Sequence, residues 1–180
     1  MNLLQEKKVA VALALIVMIA GTILYFGTDA YLMGYDEEHF IKEMILHHQE
    51  AVNSSTIMLN SDTPNVRSLA EGIVELQQTE IAMLESWLDE WYPMMEQEDT
   101  PMKYMEVMSE LSENPSKERD INYLNGMIKH HESAIMMAEK VLKTNPRSEV
   151  KKLAEDIISV QSAEISSMKS LINDMNGVLI

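Results

Sequence analysis

Past residue 35, apolar positions recur three and four residues apart, and glycine is sparse. Such spacing is the signature of amphipathic helices, whose successive turns bring those positions onto one face. The pattern breaks at 60–65 (NSDTPN), 92–101 (YPMMEQEDTP), 112–116 (SENPS) and 143–148 (KTNPRS). Four long helices are therefore predicted at about 36–59, 64–92, 117–143 and 146–175, with a short one near 102–112. Thr63 before Pro64 and Asn145 before Pro146 both read as N-caps followed by proline at the first helical position, where a missing N–H is harmless.

The chain also repeats itself. Met44-x-x-His47-His48-x-x-Ala51 aligns with Met127-x-x-His130-His131-x-x-Ala134 at an offset of 83 residues. Leu69-Ala70-Glu71-x-Ile73 aligns with Leu153-Ala154-Glu155-x-Ile157, and Gln77-x-x-Glu80-Ile81 with Gln161-x-x-Glu164-Ile165, both at an offset of 84. A helical hairpin has been duplicated, as 36–92 and 117–175, around a methionine-rich connector at 93–116. Each hairpin alone would leave an apolar face in water. The two are therefore expected to pack as an antiparallel four-helix bundle spanning 36–180.

The first 35 residues follow a different pattern. Lys7 and Lys8 precede an apolar run from Val9 to Phe26 that only Gly21 and Thr22 interrupt. A helix of this length roughly matches a hydrocarbon core of about 30 Å, which makes it a membrane-anchor candidate. Lysines before it and Asp29, Asp36, Glu37 and Glu38 after it place the N-terminus in the cytoplasm and the bundle outside. A cleaved signal peptide is the other reading. The anchor is preferred because the run is long for a signal and TDA (28–30) is a poor cleavage site. The expected location is thus the cell membrane, single-pass, with the bundle extracytoplasmic.

The formal net charge is −15, and the region past residue 35 carries all of it. Such a surface argues against nucleic acid or anionic lipid as partners and attracts cations, although it also serves solubility alone. Neither a phosphate loop, a G-x-S-x-G elbow nor a thiol nucleophile is present. Di-iron bundles use Glu-x-x-His, whereas the residue three before His47 is Met44 and three before His130 is Met127.

Met44, His47, His48 and Ala51 fall at i, i+3, i+4 and i+7, one helical stripe, and Met137 extends the equivalent stripe of the second copy. Gln77 and Glu80 lie on a stripe with Ile81, Leu84, Trp87 and Leu88, and Gln161 and Glu164 repeat that arrangement. Four imidazoles, two carboxylates, two amides and several thioethers are thus directed into the bundle. Two readings stand. Glu80 and Glu164 accept hydrogen bonds from imidazoles in an architectural polar layer. Alternatively, they orient imidazoles that bind metal together with methionine sulfur, a donor set that suits Cu(I). An imidazole site would weaken as pH falls below roughly 6.5. Met94, Met95, Met102, Met105 and Met108 offer either a packing stripe or a separate Met-only Cu(I) or Ag(I) site. His39 has no counterpart in the second copy and is expected to be exposed near a helix start.

The segments FIKEMILHHQEAV (40–52), LAEGIVELQQTEIAMLESWL (69–88), YLNGMIKHHESAIMMAEKVL (123–142) and LAEDIISVQSAEISSM (153–168) resemble the domain of unknown function 305 family. That resemblance implies a ferritin-like helical bundle, extracytoplasmic or membrane-anchored, binding copper or silver for tolerance or handling. It points to Met44, His47, His48, Met127, His130, His131, Met137 and Met168 as metal ligands, and in the metal-binding reading of the stripes Gln77, Glu80, Gln161 and Glu164 stand behind them. The first copy departs from the family pattern at Ser54 and at Leu84, where the second copy keeps Met137 and Met168. Sequence therefore favours a Cu(I) or Ag(I) buffer or chaperone, not an enzyme, with room for a metal-transfer protein partner that it does not identify. A structural or interaction bundle is the alternative, and a metal oxidoreductase the least favoured reading.

Overall fold

The computed structural model describes residues 35–93 and 106–177. The apolar run at 9–26 and Met94, Met95, Met102 and Met105 lie outside the described residues. Contacts divide the chain into Met1–Tyr35 and Asp36–Ile180, and the fold described is the second unit.

Among the described residues the protein is all-α, with four helices and no strand: α1 (Glu37–Met58), α2 (Pro64–Trp91), α3 (Lys117–Leu142) and α4 (Ser148–Met175). No described helix is long and apolar enough to cross a membrane. The apolar stripes decide which faces are buried. On α1, Phe40, Ile41, Met44, Ala51, Val52 and Met58 are withdrawn from water. Full burial of a large side chain of this kind contributes about 1.5–3 kcal/mol.

Caps fix where helices begin. Asp36 accepts the His39 N–H at 2.9 Å to start α1, and Ser116 Oγ accepts the Arg119 N–H at 3.1 Å to start α3. Thr63 is the N-cap of α2 with Pro64 behind it, as expected, but makes no side-chain cap bond. Its hydroxyl instead donates to Asp120 Oδ2 at 2.7 Å, beside the Ser61 hydroxyl at 2.8 Å.

Two predicted features are corrected. Asn145 does not cap α4; it takes a left-handed conformation (φ +56°), and α4 starts at Ser148 with Arg147 as N-cap. Pro146 disfavours the helical region for the residue before it, and asparagine tolerates the left-handed one. The short helix near 102–112 is also missing from its described part, 106–112. There the N–H groups of Val107 and Met108 donate to Glu50 Oε1 at 2.7 and 2.5 Å, and the segment runs irregularly along the helices.

Helices α1 and α2 pack as one hairpin and α3 and α4 as another, and α1 against α3 joins them. The joining pairs run in opposite senses. His47 meets His130, Ser55 Oγ lies 2.8 Å from Tyr123 Oη, and Ser61 meets Asp120, so numbers rise along α1 as they fall along α3. The two copies of the Met-x-x-His-His motif therefore face each other across the α1–α3 contact.

Candidate metal centre

At the middle of the α1–α3 contact the His47 and His130 rings lie 3.6 Å apart between centroids, tilted by 38°. His48 and His131 sit 6.3 and 6.2 Å from their chain neighbours, so the four imidazoles form one row. All four are buried, at 1% exposure or less.

Each outer imidazole lies against a glutamate on the second helix of its own hairpin. His131 Nε2–H donates to Glu164 Oε2 at 2.7 Å. His48 Nε2 approaches Glu80 Oε2 to 2.8 Å, an ion-pair distance at which the N–H direction is off line. His130 Nε2 lies 3.0 Å from the His47 carbonyl oxygen and 3.4 Å from Glu50 Oε2. Carbonyls and carboxylates only accept, so Nε2 carries a proton in His130 and His131, and in a neutral ring of this tautomer Nδ1 keeps its lone pair. The Nδ1 atoms of His48, His130 and His131 are buried and accept no hydrogen bond.

Burial, then the positive potential of a protonated His130, drives the pKa of His47 far below 6.5. Burial also lowers that of His130, against an opposing pull from Glu50. Both imidazoles are therefore neutral at pH 7, the state in which a ring nitrogen binds metal.

Met44, Met127 and Met168 are fully buried, and Met137 is nearly so. Met127 and Met168 share a core cluster with Ala51, Met58, Tyr123 and Ile165. Leu84, where the second copy has Met168, is equally buried. Gln77 and Gln161 are buried as expected, but their Oε1 atoms accept no hydrogen bond. Among the described residues, no group of three or more His, Cys, Asp or Glu is arranged to hold a metal ion. Of the connector methionines, Met108 is described, and it packs against the cluster that contains Met127. His39 sits in the first turn of α1 with 43% of its side chain exposed.

Sequence reasoning passed over Glu50. Its carboxylate touches His130 and also holds the backbone at Val107 and Met108. The signal was its place three residues after His47, one turn along the same helix.

Residues 37–172 match the family described as Domain of unknown function (DUF305). A putative secreted DUF305 protein from Streptomyces coelicolor has a similar solved structure, with TM-score 0.68 and 27% identity over 78% of this chain and 94% of that one. CopM in the Cu(I)-bound form is also similar, with TM-score 0.62 and 31% identity over 78% of this chain and 97% of that one. CopM in the Ag-bound form, obtained by co-crystallization, gives 0.64 and 28% over the same shares. An uncharacterized protein of Acanthamoeba polyphaga mimivirus is 42% identical over 55 residues, which span 31% of this chain and 36% of that relative.

Proposed function

This chain belongs to the DUF305 family, and on that premise we propose that it binds Cu(I) or Ag(I) through methionine and histidine. It acts as a buffer or chaperone for metal tolerance, not as an enzyme. The observation that carries the reading is the row of buried imidazoles. The Nε2 atoms of His130 and His131 are held by the His47 carbonyl and Glu164, with Glu50 beside the first and Glu80 2.8 Å from His48 Nε2, while the Nδ1 atoms of His48, His130 and His131 are buried without a hydrogen-bond partner. Anchoring one ring nitrogen to a carboxylate or carbonyl fixes the tautomer and aims the other, which is how metal-binding histidines are usually supported.

The donor chemistry fits a soft monovalent ion. Neutral imidazole and thioether suit Cu(I) and Ag(I), whereas Mg(II), Ca(II) and Mn(II) prefer oxygen. His47, His48, His130 and His131 with Met44, Met127, Met137 and Met168 are the assigned donors, and all lie on buried stripes. The CopM structures with Cu(I) and Ag support this assignment by analogy. The bundle is of the antiparallel, ferritin-like kind. The run at 9–26 anchors it in the membrane with residues 36–180 outside the cytoplasm.

One observation favours the architectural alternative: His130 Nε2 bonds the His47 carbonyl across the two hairpins, which would fix their register in a protein that holds no metal. Competition decides between the two. The full-length chain should take Cu(I) from a chelating dye and leave Mn(II) and Fe(II) in solution. Failure to take Cu(I) supports the architectural reading, and equal retention of Mn(II) removes the thioether argument.

A further inference from the structure

The two repeats depart from each other at two positions that share a neighbour. Register aligns Glu50 with Ser133, and Glu43 with Gly126. Glu50 lies one turn after His47 on α1, and Gly126 one turn before His130 on α3. Both touch Met108. Glu50 Oε1 accepts the Val107 and Met108 N–H groups at 2.7 and 2.5 Å, while Oε2 of the same carboxylate lies 3.4 Å from His130 Nε2. A Cβ placed on Gly126 would stand 3.2 Å from both Sδ and Cε of Met108. That is tighter than ordinary contact, so a side chain at 126 would push the Met108 thioether outward by a few tenths of an ångström, and glycine lets it lie directly on α3.

Glycine in mid-helix weakens the helix, and a carboxylate that takes two backbone N–H groups is a specific clamp. Neither device exists at the equivalent place in the other copy. Gly126 and His130 stand at i and i+4, on one stripe of α3. Glu50 thus fixes the Met108 backbone, and the Met108 sulfur lies against Gly126, one helical turn before His130, whose Nδ1 is buried without a hydrogen-bond partner.

We propose that Glu50 and Gly126 form a seat that presents the Met108 thioether as a soft-metal donor on the His130 side of the imidazole row. The connector thereby joins the central site instead of carrying a separate one, and the site is asymmetric although the fold is duplicated. Glu50 is a positioning residue, setting Met108 and His130 through their N–H groups without touching the ion. The ligand class is a monovalent soft cation, and the inference rests on the Cu(I) or Ag(I) reading given above.

Methionine-methyl and histidine-ring NMR of the full-length chain during Ag(I) titration tests it. The Met108 methyl and the His130 ring should shift together over the same additions. Met108→Leu should keep the fold and lower Ag(I) affinity by roughly tenfold, the lower end of the loss seen when supporting contacts at metal sites are removed. Glu50→Ala should abolish the Met108 response, and Glu50→Gln, which keeps an acceptor oxygen, should restore part of it. If Glu50→Ala loses its helical circular dichroism, Met108→Leu decides alone. A His130 response with a silent Met108 methyl, or wild-type affinity in Met108→Leu, overturns the seat and leaves the proposed function standing. No response from any histidine or methionine overturns both.

Discussion

At His47 and His130 the dominant force is desolvation, and it moves the pH range in which this centre should work. Both groups have folded-state pKa values below 6.5 because burial opposes the charged ring. Proton competition with metal should therefore begin below the roughly pH 6.5 expected of a free imidazole. Ag(I) affinity measured against pH should hold through 6.5 and decline only in more acidic solution; half-loss at or above 6.5 would contradict burial as the cause. The same shift has a consequence for stability. An unfolded chain takes up protons below about pH 6.5 while the folded one resists, so stability without metal should fall as pH drops through that value. The stripe residues Met44, His47, His48, Met127, His130 and His131 were legible because burial follows helical spacing, and a repeat search finds positions that match. Glu50 and Gly126 were not, because they matter where the repeats differ, and only the path of the connector brings Met108 to them.

Among the elements, the four long helices follow the apolar period closely, and their ends follow proline and capping chemistry less faithfully. Thr63–Pro64 and Asn145–Pro146 look alike in sequence, yet only the first starts a helix. At the second, Arg147 is drawn toward the far ends of the first hairpin. Its guanidinium lies 4.7 Å from the Trp91 ring centroid and bonds Glu37, and its backbone N–H donates to Glu37 Oε2 at 2.9 Å. Holding Arg147 there uses a left-handed turn at Asn145, which propensity alone does not reveal. A β-branched residue strains that conformation by about 1–2 kcal/mol. Asn145→Val should lower the unfolding free energy by that amount in urea titrations, and Asn145→Gly should not. An unchanged denaturation midpoint in Asn145→Val would mean the turn is not held as described. The helix expected near 102–112 fails in its described part for a comparable reason: a tertiary acceptor, Glu50, takes the backbone donors of Val107 and Met108.

For the whole molecule, Lys7 and Lys8 before the run at 9–26 lead to one expectation of topology. Protease added to intact spheroplasts should remove residues 36–180; digestion only after lysis would reverse the proposed orientation. Duplication explains why the imidazole row lies between hairpins, because like stripes from α1 and α3 meet there. Removing His130 and His131 together should therefore empty a site to which both copies contribute. It also strips Glu164 and the His47 carbonyl of their imidazole donors, at about 1–3 kcal/mol for each group left unsatisfied. A domain with a stability of about 5–15 kcal/mol can absorb part of that range, so folding of the variant is checked by circular dichroism. The most direct measurement is Cu(I) competition against a chelating dye for the wild-type chain and the folded His130→Ala/His131→Ala variant. The predicted result is capture by the wild type and loss of most capture in the variant; undiminished capture by the folded variant would show that the histidine row holds no metal.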